Sequence, residues 1–105
     1  MSLTTTNKLI KALDVAAEVL GPDATLRQLS SFLYVSQAGS AGIDGITLER
    51  HSRSSQAATS RNLRLLGPTL GLAEFVLDQN DGRRRLARLL PKGEQLVERM
   101  ISAAS

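Results

Sequence analysis

IDGITLERHSRSSQAATSRNLRLL, residues 43–66, reads as two short helices separated by a polar break. The first runs from Asp44 to His51, with Ile46, Leu48 and His51 near one side. Ser52, Arg53 and Ser54 form the break, and the second helix runs from Ser55 to Leu66. Thr59, Leu63 and Leu66 recur at i, i+4 and i+7, which is one helical stripe. The opposite side carries Ser54 and Ser55 at its start, then Gln56, Ala57, Ser60, Arg61 and Arg64. Small residues let a helix approach a surface closely. Gln and Arg offer paired hydrogen bonds of the kind that base edges accept in a DNA major groove. The alternative is a solvated helix in a small bundle.

The residues on either side extend this pair into a larger pattern. Residues 73–78 (AEFVLD) alternate apolar and polar, and 84–90 (RRLARLL) read as a return strand with Ala87 and Leu89 inward. Asn80-Asp81-Gly82 is turn chemistry, with Asn80 and Gly82 able to take positive φ. Arg83, Arg84 and Arg85 follow the tip directly. Such a cluster can serve to protect a sheet edge or to meet a polyanion. Upstream, residues 4–20 form an amphipathic helix capped by Thr4, Thr5 or Thr6, with an apolar stripe of Leu9, Ile10, Leu13, Ala16, Ala17 and Leu20. Gly21-Pro22 ends it. Asp23 caps the next helix, Ala24 to Ala38, whose inner face is Leu26, Leu29 and Leu33, with Ser36 or Gln37 continuing it and Phe32 adjoining. GSAG (39–42) is a flexible connection, and Gly67-Pro68 stops the helix pair. Pro91 opens the last helix, whose apolar side is Leu96, Val97, Met100 and Ile101.

Composition narrows the function. The chain has 105 residues, 42% hydrophobic, which suits one domain with a real core. It has no cysteine and one histidine, so disulfides, thiolate chemistry and an all-protein metal site are not expected. No cofactor and no catalytic group are expected either. His51 has no Ser or Cys partner at a recognisable spacing, and beside Leu48 it reads as a packing or phosphate-contact residue. No run is long enough to span a membrane, and MSLTTTNK lacks a signal-peptide core, so the expected place is the cytoplasm, at the nucleoid. The net charge is +3, but residues 50–88 hold eight arginines against three acids, a balance of +5. A basic segment in a near-neutral chain points to a polyanionic partner. Three aromatics, Phe32, Tyr34 and Phe75, are too few for a base-stacking platform, which argues for duplex over single strand.

The order is four helices, two strands and a helix, and a helix-turn-helix followed at once by a basic hairpin is a winged helix. The expected class is mainly α with a small β-hairpin, forming one domain: helices 1–21 and 91–105 at the ends, helix-turn-helix 43–66 and wing 73–90.

At this level the sequence resembles the MarR-type winged-helix transcriptional regulators over nearly its whole length. DQNDGRRRLARLLPKG (78–93) is similar to the family's wing and the start of its last helix. Asp81 and Arg83 stand in its Asp-x-Arg position, and Leu89-Leu90-Pro91-Lys92-Gly93 stands for Leu-Thr-x-x-Gly. TSRNLRLL (59–66) looks like the second half of the family's recognition helix, with Arg61 at its usual arginine. Leu90 replaces the capping threonine, so that helix start leans on Pro91. The chain is shorter than most members, which leaves less room for an effector pocket.

The resemblance implies a homodimer on double-stranded DNA, joined through the first and last helices. That agrees with the two apolar stripes, so Leu9, Ile10, Leu13, Ala17, Leu20, Leu96, Val97, Met100 and Ile101 are the expected dimer residues. The expected function is sequence-specific transcriptional regulation, as a repressor. Alternatives are a winged-helix module that holds protein partners, or a DNA-binding structural or segregation protein.

Overall fold

The computed structural model describes residues 3–105. Five helices and one hairpin follow in order: α1 Leu3–Leu20, α2 Leu26–Ala38, α3 Gly45–Ser52, α4 Gln56–Arg64, β1 Ala73–Leu77, β2 Arg85–Leu89 and α5 Pro91–Ala104. This is a winged helix with a helix added at each end.

Short polar side chains set the helix starts by satisfying first-turn amides. The Asp44 carboxylate accepts the Thr47 N–H at 2.8 Å to open α3, and the Ser55 hydroxyl accepts the Ala58 N–H at 3.1 Å to open α4. Helix α2 starts later than Asp23 suggested. Thr25 and Gln28 form a reciprocal capping box, which satisfies two amides at once and outcompetes a single aspartate. Helix α1 already includes Thr4, Thr5 and Thr6 in its first turn, so its cap lies outside the described residues. Leu90 caps α5 without a side-chain hydrogen bond, and Pro91 occupies the first helical position, as expected.

The core has two parts. Ala16 and Leu20 of α1, Phe32 of α2, Leu66, Leu72, Ala73, and Leu96 and Met100 of α5 form one cluster. Val35, Ile43, Leu48 and Ala87 form the other, under the wing. The inner face of α2 is therefore Ser31, Phe32 and Val35, while Leu26 (83% exposed) and Leu33 (41%) face outward. The helix carries two apolar stripes, and it turns so that the large Phe32 ring fills the middle of the core. In α3, Leu48 is buried but Ile46 is not.

Two connections are more ordered than expected. Residues 39–41 form a single 3-10 turn, and Ile43 then pairs with Ala87 through two backbone hydrogen bonds of 3.0 and 2.8 Å. Gly42 allows this. Its φ is +81°, and a Cβ there would lie 2.9 Å from the Leu86 Cβ. After α4 the chain does not stop at Gly67-Pro68. It widens into a π turn over Leu65–Thr69, with Leu70 N–H bonded to Leu65 O at 2.9 Å. The wider turn makes room for a proline ring that an α-helix would reject.

The expected hairpin forms, antiparallel, with Ala73 opposite Leu89 through Leu77 opposite Arg85. Helices α1 and α5 pack along each other, tied also by the Glu18–Arg99 ion pair. The molecule measures 47 × 26 × 25 Å.

Candidate nucleic-acid interface

Helix α4 separates its two sides as the sequence indicated. Ser55, Gln56, Ala57, Ser60, Arg61 and Arg64 are exposed, while Thr59 and Asn62 are buried and Leu66 is fully inside. The Ser55 oxygen accepts the capping bond, but its O–H remains available as a donor. Ser54 is half-buried in the turn, and its hydroxyl makes a long 3.4 Å bond to Ser52 O. An open cleft beside α4 is lined by Gln56 and Ser60 on one side, by Thr47, Glu49 and Arg50 of α3, and by Arg83, Arg84 and Arg85 of the wing. Thr47, Glu49 and Arg50 carry no local signal that marks them as site residues. Only the fold brings the outer side of α3 level with the wing.

The wing tip is closed by its own carboxylates. Asp78 accepts the Asn80 N–H at 2.9 Å, and Asp81 accepts the Arg83 N–H at 3.1 Å. The Asp81 carbonyl accepts the Arg84 N–H at 2.9 Å. With these bonds the turn needs no left-handed residue, and neither Asn80 nor Gly82 has positive φ, contrary to the expectation for them. Asp81 thus holds the turn, and its ion pair with Arg83 is loose, 3.6 Å with the arginine 96% exposed.

The three wing arginines differ. Arg83 and Arg85 extend outward. Arg84 folds back between two carboxylates, bonding Asp44 at the start of α3 and lying 3.7 Å from Asp78 of the wing. It was expected as a DNA contact. Its ion pairs also make it a strut that sets the wing against α3.

Burial raises the pKa of Asp44, but the Thr47 amide and hydroxyl and the Arg84 guanidinium outweigh it, holding the carboxyl below its ordinary 3.8. A depressed carboxylate adds stability above its unfolded pKa and loses it as pH falls through the folded value. Asp44→Asn keeps a helix cap but removes the charge, so it isolates the strut. Thermal melts should show the variant less stable than wild type near neutral pH, by about 1 kcal/mol or less for a half-exposed pair. The difference should close below the ordinary carboxylate range. A gap of constant size down to low pH would show that the ion pair contributes nothing.

The arginines sort by location. Arg88 pairs with Glu74 at 3.2 Å, Arg99 with Glu18, and Arg84 as above, while Arg27 bonds the Ser52 carbonyl. Arg50, Arg53, Arg61, Arg64 and Arg85 form no ion pair among the described residues. All five lie on α3, α4, the turn between them or the start of β2. This face therefore carries five arginines with no carboxylate partner among the described residues, a local excess of positive charge. His51 stacks on Tyr34 with ring centroids 5.2 Å apart, a packing role.

The expected dimer residues divide as well. Leu20, Leu96 and Met100 are buried in the chain's own core, while Ala17 and Val97 are half-buried. Leu9, Ile10, Leu13 and Ile101 are 48–60% exposed, and Leu3 extends the same open side of α1. Among the described residues, no group of acids and histidine could hold a metal ion, and no helix is long and apolar enough to cross a membrane.

No protein-family model matches the chain, and no curated protein does. Solved structures match its fold over most of its length. The S. aureus MepR–DNA complex superposes with a TM-score of 0.76 at 22% identity, covering 93% of this chain and 77% of that one. A probable transcriptional regulator from Pseudomonas aeruginosa gives 0.68 at 23%, covering 94% and 72%. MarR itself gives 0.66 at 20%, covering 93% and 70%. The chain therefore has the fold of the MarR-type winged-helix regulators.

Proposed function

We propose that this protein is a sequence-specific, duplex-DNA-binding transcriptional regulator, acting as a homodimer and as a repressor. One observation carries the proposal: the unpaired arginines converge on the face where α4 also exposes Ser55, Gln56, Ala57 and Ser60. In this reading α4 lies in the major groove. Gln56, Ser60 and Arg61 meet base edges, and Ser54, Ser55 and Arg64 meet flanking phosphates. Arg83 and Arg85 reach the neighbouring minor groove and backbone, while Arg84 positions them. A neighbour of the same fold, MepR, has been solved on DNA, which supports the assignment.

The dimer half of the proposal rests on α1. Its inner stripe is used by α5, and a second stripe of Leu3, Leu9, Ile10 and Leu13 stays uncovered beside Ile101 of α5. A contiguous apolar strip on one side of a small domain supports an interface there. Repression follows from occupancy, since a dimer across a promoter excludes other proteins.

The test is a footprint on DNA selected from the source genome. Wild type should protect two symmetric half-sites about 34–36 Å apart, one helical turn. The variant carrying Ile10→Glu and Leu13→Glu should sediment as a monomer and protect neither. If the variant still sediments as a dimer, the α1 interface is wrong. Absence of any protected site with wild type would remove the DNA-binding reading.

A further inference from the structure

We infer that Arg53 is a DNA phosphate-contact residue, held ready at the helix-helix turn by a backbone conformation chosen against local stability. The inference rests on the DNA-binding reading above and adds a contact outside both the recognition helix and the wing.

Arg53 ends α3 with φ 53° and ψ 42°, the left-handed conformation. It is the only non-glycine residue with positive φ among the described residues. The conformation closes α3, because the Arg53 and Ser54 N–H groups both bond the Glu49 carbonyl, the latter at 3.2 Å. Glycine suits this position best, since a Cβ in left-handed backbone crowds the neighbouring carbonyl. The chain uses glycine for that purpose at Gly21, Gly39, Gly42 and Gly71. Here it keeps arginine.

Nothing inside the protein explains that choice. The Arg53 side chain is exposed and forms no ion pair or hydrogen bond among the described residues. Its backbone, in contrast, is anchored on both sides. Ser52 is 1% exposed, its hydroxyl bonds Leu48 O at 2.7 Å, and its carbonyl accepts from Arg27 of α2. Ser55, two residues on, caps α4. The backbone from which the cation extends is thus fixed before binding, and only the side chain is left to be ordered. The turn stands just ahead of the N-terminus of α4, outside the cleft that Arg83, Arg84 and Arg85 line. Arg53 and the wing thus offer two separate phosphate grips flanking the helix. A strained residue kept without internal partners is the form that a functional constraint takes.

The experiment compares wild type, Arg53→Gly, Arg53→Asn and Arg53→Lys by thermal melting and by salt titration of binding to a random-sequence duplex. Arg53→Gly should melt at or above the wild-type temperature yet bind more weakly. Its plot of log affinity against log salt should be shallower by about two units, one phosphate per protomer at about 0.9 each. Asparagine tolerates left-handed backbone, so Arg53→Asn should lose the same slope and keep stability. Arg53→Lys keeps the charge and should keep the slope. If wild type binds the duplex but Arg53→Gly and Arg53→Asn retain its affinity and slope, the inference is overturned while the DNA-binding reading stands. If wild type itself binds no duplex, both fall.

Discussion

Gly93→Ala should destabilise the protein by about 3 kcal/mol and lower its melting temperature by roughly 10–20 °C. Gly93 lies in the first turn of α5, where alanine is the better helix former by about 1 kcal/mol. Propensity alone therefore predicts a gain. The contact decides otherwise. A Cβ on Gly93 would sit 2.3 Å from the Leu72 carbonyl oxygen and 3.1 Å from Leu89 Cδ2. The first of these is backbone and cannot rotate away. It also accepts the Leu90 N–H at 2.9 Å, the bond that seats α5 on the body of the domain. To fit the methyl group, α5 must lift, which opens the packing around Leu96 and Met100 in the main cluster. Gly45→Ala is the control. Gly45 is also in a first helical turn, but its added Cβ meets nothing within 4 Å. That variant should be neutral or gain up to about 1 kcal/mol. If both variants melt alike, close approach is not why the glycine stands at the start of α5.

Gly93 also marks how far local sequence reaches. Its place in the pattern around Pro91 was visible, but the reason lies in Leu72, twenty-one residues away. The local signals were legible. The pair of helices, the hairpin and the exposed side of α4 all follow from caps, periodicity and turn residues that act within a few positions. The misread points share another cause. Leu29 packs against the core as its place on the inner face of α2 implies. Leu26 and Leu33 of the same stripe face outward, and Phe32 and Val35 take the core, because the cavity is shaped by other elements. GSAG looked like a flexible connection until Ile43 found Ala87 across the sheet. Three adjacent arginines looked equivalent, and only the approach of Asp44, forty residues away, separates Arg84 from Arg83 and Arg85. Residue types and local periods determine the elements; which side an element turns inward is settled by partners distant in sequence.

That separation of the wing arginines gives the largest expected effect on function. Wild-type affinity for duplex DNA should fall by about 10⁴-fold between 50 and 200 mM salt. This follows if a dimer neutralises about eight phosphates, since each contributes about −0.9 to a slope near −7. Arg83→Ala together with Arg85→Ala removes four of those contacts in the dimer. The slope should then lie nearer −3.5, and the same salt step should cost only about 10²-fold. Because phosphate contacts carry no sequence information, the loss should be similar on a specific site and on random duplex. Arg61→Ala should behave differently. It should cost roughly 1–3 kcal/mol on the specific site, relax preference at one base position, and leave random-duplex binding nearly unchanged. Arg84→Ala forms a third class. Its side chain holds the wing through Asp44 and Asp78, so it should weaken binding by loosening the wing while removing little slope of its own. A salt titration of these variants on the two kinds of DNA separates the classes. The arrangement fails if the Arg83, Arg85 double variant keeps the wild-type slope. The wing would then face solvent or a protein, and an interaction module would become the better reading of the same fold.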